Sequence, residues 1–412
     1  MKICIISKYP PIEGGVSSEI YWVAKALGKL NHKIYVVTNS KEVEEDYRED
    51  ISKYDSYQLE PKNVKIYSTG PLLPYFIPFS KSHVAKLANL AIQVIRKHDI
   101  DLIYSKYLLP YGVAGLIVKQ ITRKPLMVSH AGSDITRLFD DPSLKSIFIE
   151  VFKGADMIST ISGTKNKILK RCEIDCAKLI LGLSVGINIE EFHPDVKPFD
   201  LSPYLQGSRQ ENLPTFLYLG KISKLKKTFE FVKACSSIKK EHFRIIFVVG
   251  NTEKSLELNK YVEVMGLKKK AIFLPFQPPW RIPSLVNVST CVVSPESSEQ
   301  PFLPKGIHYP KIAREAMACG RCVIIGKGVA KKGAYQRLQD GVNICIVDPD
   351  NTKEFANRLR MIIKNPDMAV KIGLEARKFS EATEYFEERI KQWVMAYKAL
   401  LFTHSLKMRD RS

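Results

Sequence analysis

Two hydrophobic periods take turns along this chain. Short, almost wholly apolar runs (residues 2–6, 32–39, 64–69, 101–105 and 125–129) read as buried parallel strands, because a strand covered on both faces has no polar face to alternate with. Between them lie stretches with apolar residues three and four positions apart, as in Ile20, Val23, Ala24 and Leu27, or Val113, Leu116 and Ile117, which read as helices with one buried face. The same alternation restarts at residue 215, with strands predicted at 215–220, 243–250, 271–276, 290–295, 322–325 and 343–349. Helices are predicted near 254–265, at 352–365 (Phe355, Leu359, Ile362) and along 384–402. That last helix carries a wide apolar stripe of Phe386, Ile390, Trp393, Val394, Tyr397 and Leu401, and must pack on something large. Residues 157–162 and 179–188 read as strand-and-turn units.

Strand–helix alternation in two series predicts an α/β protein of two doubly wound domains facing across a cleft. Between the series, residues 191–214 are rich in proline and polar side chains and read as a linker. The boundaries drawn are 1–195 for the first domain, 196–213 for the linker, 214–380 for the second domain and 381–412 for the terminal helix. A chain of 412 residues is long enough for two cores.

Polar residues just past the carboxyl ends of parallel strands mark where open α/β sheets bind ligands. The first strand runs into Gly14-Gly15, where a ligand can approach the backbone, but no GxGxxG is present, so a dinucleotide cofactor is not expected. The strand at 125–129 delivers His130, Ala131, Gly132, Ser133 and Asp134. In the second series, Gly220-Lys221 and Lys226-Lys227 place cations beside a helix start, suited to a diphosphate without a metal. Residues 296–325 set Glu299 and Glu315 on either side of a loop, with Pro310 placed to open a helix and Gly320 to cap it. Asp348-Pro349-Asp350 has the form of a metal-binding Asp-x-Asp but sits before a helix start, where such residues serve turns and caps.

A formal net charge of +20 argues for anionic partners: phosphorylated substrates, an anionic membrane surface or nucleic acid. Charge alone is the only motive for nucleic acid, which is not expected as a partner. No run of 18 apolar residues occurs, so a cytoplasmic protein is expected, with peripheral docking at the inner membrane surface compatible with the charge. Eight scattered cysteines read as buried small hydrophobes rather than a disulfide framework or a zinc site.

Five ordered motifs resemble the retaining glycosyltransferases of family 4, with the GT-B fold. YPPIEGGVSSEIYWVAKAL resembles the family's glycine loop and helix, HAGSD its histidine-bearing strand end, and SVGINIEEFHP its approach to the hinge. GKISKLKK resembles its basic loop, and EAMACGRCVI with GVNICIVDPDN its most specific segment. The resemblance implies transfer of a sugar from a nucleoside-diphosphate donor to a hydroxyl acceptor, glycan or lipid-linked, without cofactor or metal. It implies that Glu315 accepts hydrogen bonds from the donor ribose, and that Lys221, Lys226, the Gly15 backbone and Ile307, His308 and Tyr309 hold the diphosphate. Glu299 contacts the transferred sugar, and His130 lies near that sugar. Gly14 and Asp134 fall on the acceptor side, and His130, Glu299 and Lys226 are the expected catalytic set. Three departures stand out: residue 307 is Ile where the first of two spaced glutamates is usual, so Glu299 takes its place across an insertion; Lys221 replaces arginine; and Lys227 replaces glycine. A non-catalytic, donor-binding member of the fold is the alternative reading.

Overall fold

The computed structural model describes residues 1–70, 83–131, 134–160, 162–181, 183, 185–205, 213–296, 310–330 and 338–409. The chain divides into two compact units, the first comprising Met1–Val185 with Glu387–Ser412 and the second Gly186–Phe386.

The first unit is built on seven strands: β1 (Lys2–Ile6), β2 (Lys33–Thr38), β3 (Val64–Ser68), β4 (Leu102–Lys106), β5 (Leu126–Ser129), β6 (Met157–Thr160) and β7 (Leu179–Leu181). All neighbours are parallel and the order is β3-β2-β1-β4-β5-β6-β7, a doubly wound sheet whose direction of winding reverses between β1 and β4. Among the described residues, five helices connect them: α1 (Gly15–Lys29), α2 (His83–His98), α3 (Val113–Thr122), α4 (Lys145–Gly154) and α5 (Ser162–Cys172). The period of two along each strand separates two buried faces. Cys4, Ile6, Val37, Ile103 and Val128 pack with Leu87, Ala91 and Val94 of α2, Val118 of α3 and Phe148 and Phe152 of α4. Tyr104 points the other way and meets the terminal helix described below.

The second unit repeats the plan with β8 (Thr215–Leu219), β9 (Arg244–Val248), β10 (Ala271–Leu274), β11 (Cys291–Ser294), β12 (Cys322–Gly326) and β13 (Cys345–Val347), in the order β10-β9-β8-β11-β12-β13. Its switch of winding falls between β8 and β11. The helices are α6 (Thr228–Ser236), α7 (Glu253–Val264), α8 (Ile282–Asn287), α9 (Lys311–Ala318), α10 (Lys327–Ala330), α11 (Thr352–Lys364) and α12 (Pro366–Thr383), after which α13 (Phe386–Arg409) returns the chain to the first unit. There Trp393 stands edge-on to Tyr104 with ring centroids 5.0 Å apart, and Tyr397 lies 6.2 Å from the same ring.

Besides the four-residue α10, three helices escape the sequence pattern for identifiable reasons. The α4 sequence KSIFIEVFKG is rich in β-branched and aromatic residues and mimics a strand. α5 has few apolar residues, and α12 buries small ones, Ala369, Gly373, Ala376 and Ser380, that leave little hydrophobic signal. The unit boundary at Val185 precedes the drawn limit of 195 because the intervening residues are held by the second unit. Asn287 donates through Nδ2 to the carbonyls of His193 and Val196, both at 2.8 Å, and Arg377 donates to that of Phe192 at 2.9 Å. Glu384 accepts from the Ile187 amide at 2.8 Å while pairing with Arg314 at 2.6 Å.

Trp393 is almost fully buried in the first unit. Trp393→Ala is expected to cost about 3–5 kcal/mol of that unit's stability, read by urea unfolding, because it deletes a large aromatic from a packed face. A change under about 1 kcal/mol would show that α13 is not part of that core.

Candidate active site

Each sheet brings a lysine and a glutamate together at its switch of winding. In the second unit the loop after β8 starts at Gly220 (φ 147°) and passes Lys221, whose side chain is exposed. It then makes a 3₁₀ turn over Lys224–Lys226, in which Ser223 Oγ accepts from the Lys226 amide at 3.3 Å. The turn delivers the Lys226 ammonium to the carboxylate of Glu296, two residues past the end of β11. Burial lowers the Lys226 pKa to about 8. Gly326, at the end of the adjacent β12, makes room for this arrangement: a Cβ there would lie 2.2 Å from the Glu296 carbonyl oxygen. Lys227 takes the left-handed conformation (φ 52°) and reaches Asp350 at 2.7 Å. Glycine adopts that conformation without steric cost, which gives a physical reason for the usual residue at this point of the loop.

The helix expected after Pro310 is α9, and Gly320 follows it with φ 65°, as a C-cap glycine does. Glu315 is buried in α9, and desolvation raises its carboxyl pKa against the opposing influence of Lys311, 3.3 Å away, and of Arg314. Its position follows from the bidentate contact of Arg314 with Glu384, which fixes the neighbouring turn of α9. Glu299, Ile307, His308 and Tyr309, together with Lys305, lie outside the described residues. Asp348 and Asp350 form a turn, the Asp350 amide donating to Asp348 Oδ1 at 3.1 Å, and Asn351 caps α11.

In the first unit Lys106, at the end of β4, pairs with Glu19 of α1. Gly14 (φ 118°) and Gly15 open α1 with no side-chain cap and no acidic residue in the first turn, and a Cβ at either glycine would meet nothing within 4 Å. Such an end presents free amides and the positive end of the helix dipole. His130 follows β5, and its Nε2 lies 2.8 Å from Thr160 Oγ1 and 3.1 Å from Thr164 Oγ1. Burial, with the Lys106 charge, lowers its pKa to about 3, so the imidazole is neutral and serves as a hydrogen-bonding group rather than a proton donor near neutrality. Asp134 is fully buried, with both carboxylate oxygens accepting from backbone amides: Leu108 at 3.1 Å, Ala131 at 2.9 Å and Ile135 at 3.1 Å. These bonds tie the loop after β4 to the loop after β5 and so hold His130 in place.

Sequence reasoning missed Glu296, Lys106, Glu19, Thr160 and Thr164. Only strand order could have found them, because each pair joins segments that are adjacent in the sheet and distant in the chain.

Two doubly wound parallel sheets in succession are the architecture of the GT-B fold. Residues 13–180 match the family described as Glycosyltransferase Family 4, and residues 206–379 the one described as Glycosyl transferases group 1. The chain belongs to glycosyltransferase family 4. It is 20% identical to the N-acetyl-alpha-D-glucosaminyl L-malate synthase of Bacillus anthracis, over 98% of this chain and 97% of that one. It is 24% identical to an uncharacterized glycosyltransferase of Methanocaldococcus jannaschii, over 86% and 87%. Among solved structures it resembles a sucrose-phosphate synthase from Thermosynechococcus elongatus (TM-score 0.68, 17% identity, 98% and 99% covered). It also resembles Anabaena HepE in complex with UDP-glucose (TM-score 0.67, 17% identity, 96% and 99% covered).

Replacing Glu296 with Gln removes the anion that holds the Lys226 ammonium, so affinity for inorganic pyrophosphate, measured by calorimetry, is expected to rise about five- to tenfold. Weaker binding would mean that Glu296 supports the ligand instead. In the parent protein pyrophosphate affinity is expected to fall as pH rises through about 8, where Lys226 loses its charge, and Lys226→Arg should flatten that fall. His130 is neutral when folded, with a pKa below the ordinary 6.5, so its contribution to stability is complete above pH 6.5 and declines as pH falls from there toward about 3. Between pH 6.5 and 5, urea unfolding of His130→Gln should lack up to ~1.4 kcal/mol per pH unit of the parent's decline.

Proposed function

We propose that this glycosyltransferase is a retaining enzyme that moves a sugar from a nucleoside-diphosphate donor to a hydroxyl acceptor, a glycan or lipid-linked glycan, at the cytoplasmic side. The observation that carries the reading is the partly exposed Lys226 ammonium at the carboxyl end of the second sheet, held by a carboxylate that an incoming diphosphate can replace. Lys221 stands on the same loop, and Glu315, in the helix that follows the next strand of the switch, is a buried carboxylate able to accept from the two ribose hydroxyls. The HepE structure contains UDP-glucose, which makes uridine donors the first to test here.

Chemistry in this reading needs little more than charge placement. As the bond from the anomeric carbon to the phosphate oxygen breaks, negative charge grows on the diphosphate beside Lys226, which stabilises it. The acceptor oxygen bonds to the same face of the sugar, and its proton passes to the departing phosphate oxygen. Configuration is therefore retained, with no protein nucleophile and no metal step. His130, neutral and oriented by Thr160 and Thr164, offers a hydrogen bond on the acceptor side.

Purified protein should hydrolyse or transfer from UDP-sugars with turnover unchanged by EDTA, and NMR of the product should show the donor's anomeric configuration. Glu315→Ala and Lys226→Ala should each lower turnover by about 10²-fold or more. Unchanged turnover in both would sink the donor-site assignment, and donor binding without turnover across a broad acceptor panel would favour the non-catalytic alternative.

A further inference from the structure

Helix α13 has two apolar faces, where a surface helix ordinarily has one. Ile390, Trp393, Tyr397 and Leu400 are buried in the first unit. Met395, Phe402 and Leu406, spaced by seven and four residues, share the opposite face and are 68%, 66% and 43% exposed. Isolated exposed apolar side chains are ordinary, but a row of three along one helix is a surface built for contact.

The charges around this row narrow the partner. Lys391, Lys398 and Lys407 are exposed along the same helix and Arg409 follows, while its two acidic residues, Glu387 and Glu388, are confined to the first turn, before the apolar row begins. Beyond the helix, Lys407 and Lys119 both act on the ammonium of Lys178, whose pKa is lowered chiefly by burial and which Asp156 and Asp175 act on in the opposite sense, and Lys398 acts on His32 beside the amino terminus. A second copy of this chain, with a formal net charge of +20, would set these cations against their own kind. A bilayer with anionic headgroups satisfies both features: Met, Phe and Leu enter the acyl boundary while the lysine stems reach back to the phosphates.

We propose that the outer face of α13, formed by Met395, Phe402 and Leu406 between Lys391, Lys398 and Lys407, docks the protein onto an anionic lipid surface. This interaction is independent of sugar transfer, since docking needs neither donor nor acceptor. It would bring the enzyme to the layer where a lipid-linked acceptor resides.

The test is vesicle co-sedimentation of the full chain, using phosphatidylcholine alone and phosphatidylcholine with about a third phosphatidylglycerol. Binding to the anionic vesicles is expected, about tenfold or more above the neutral ones and weakened by salt. Phe402→Glu/Leu406→Glu should lose that binding about tenfold while its thermal unfolding matches the parent's, and Lys391→Gln/Lys398→Gln should weaken it less steeply. Absence of binding by the parent protein, equal binding to neutral vesicles, or an unaffected Glu double variant would overturn the proposal. So would a concentration-dependent dimer that Phe402→Glu abolishes, which would assign the face to a second copy.

Discussion

The candidate site of the second unit depends on one ion pair, Lys226 with Glu296, at the point where the winding of its sheet reverses. Connections that leave neighbouring parallel strands toward opposite faces of the sheet open a crevice at that point, and here the two loops that border it pair their charges. A lysine drawn into such a crevice is desolvated, which is why its pKa falls to about 8, and a neighbouring carboxylate keeps it from being an unpaired cation. The close backbone approach at Gly326 and the Ser223 bond to the Lys226 amide keep both partners where a diphosphate would need them. The first sheet repeats the arrangement with Lys106 and Glu19, beside a neutral histidine.

The fold was largely legible because buried parallel strands advertise themselves. Runs such as KICII and RIIFV have no polar period, and each is followed by a helical stripe. What escaped were elements whose burial is carried by small side chains, as in α12, or whose composition suits the other structure, as in α4. The candidate site was legible where a residue's role is local. The proline before α9, the glycine after it and the cations past β8 all announce themselves by position. It was not legible where two distant segments meet. Glu296 lay inside the very stretch that drew attention, yet its partner is seventy residues away, and only the β8–β11 pairing brings them together. Asp134 shows the converse: its place near a strand end suggested a ligand contact, while three backbone amides occupy its oxygens.

Family membership and local geometry contribute different parts of the account. Membership carries the reaction class, and the residues show where this chain departs from the expected loop, with lysine in place of arginine at 221 and a non-glycine left-handed residue at 227. At 221 the positive charge is kept while the fixed bidentate fork of a guanidinium is lost. The titration expected near pH 8 belongs to Lys226, which burial desolvates.

The most direct test is the proton balance of UDP binding, measured by calorimetry near pH 8 in buffers of differing ionisation enthalpy. Burial lowers the Lys226 pKa to about 8, and a diphosphate that takes the place of Glu296 draws the ammonium toward full charge, so the account predicts net proton uptake on UDP binding. Binding with no proton uptake, or with release, would contradict it.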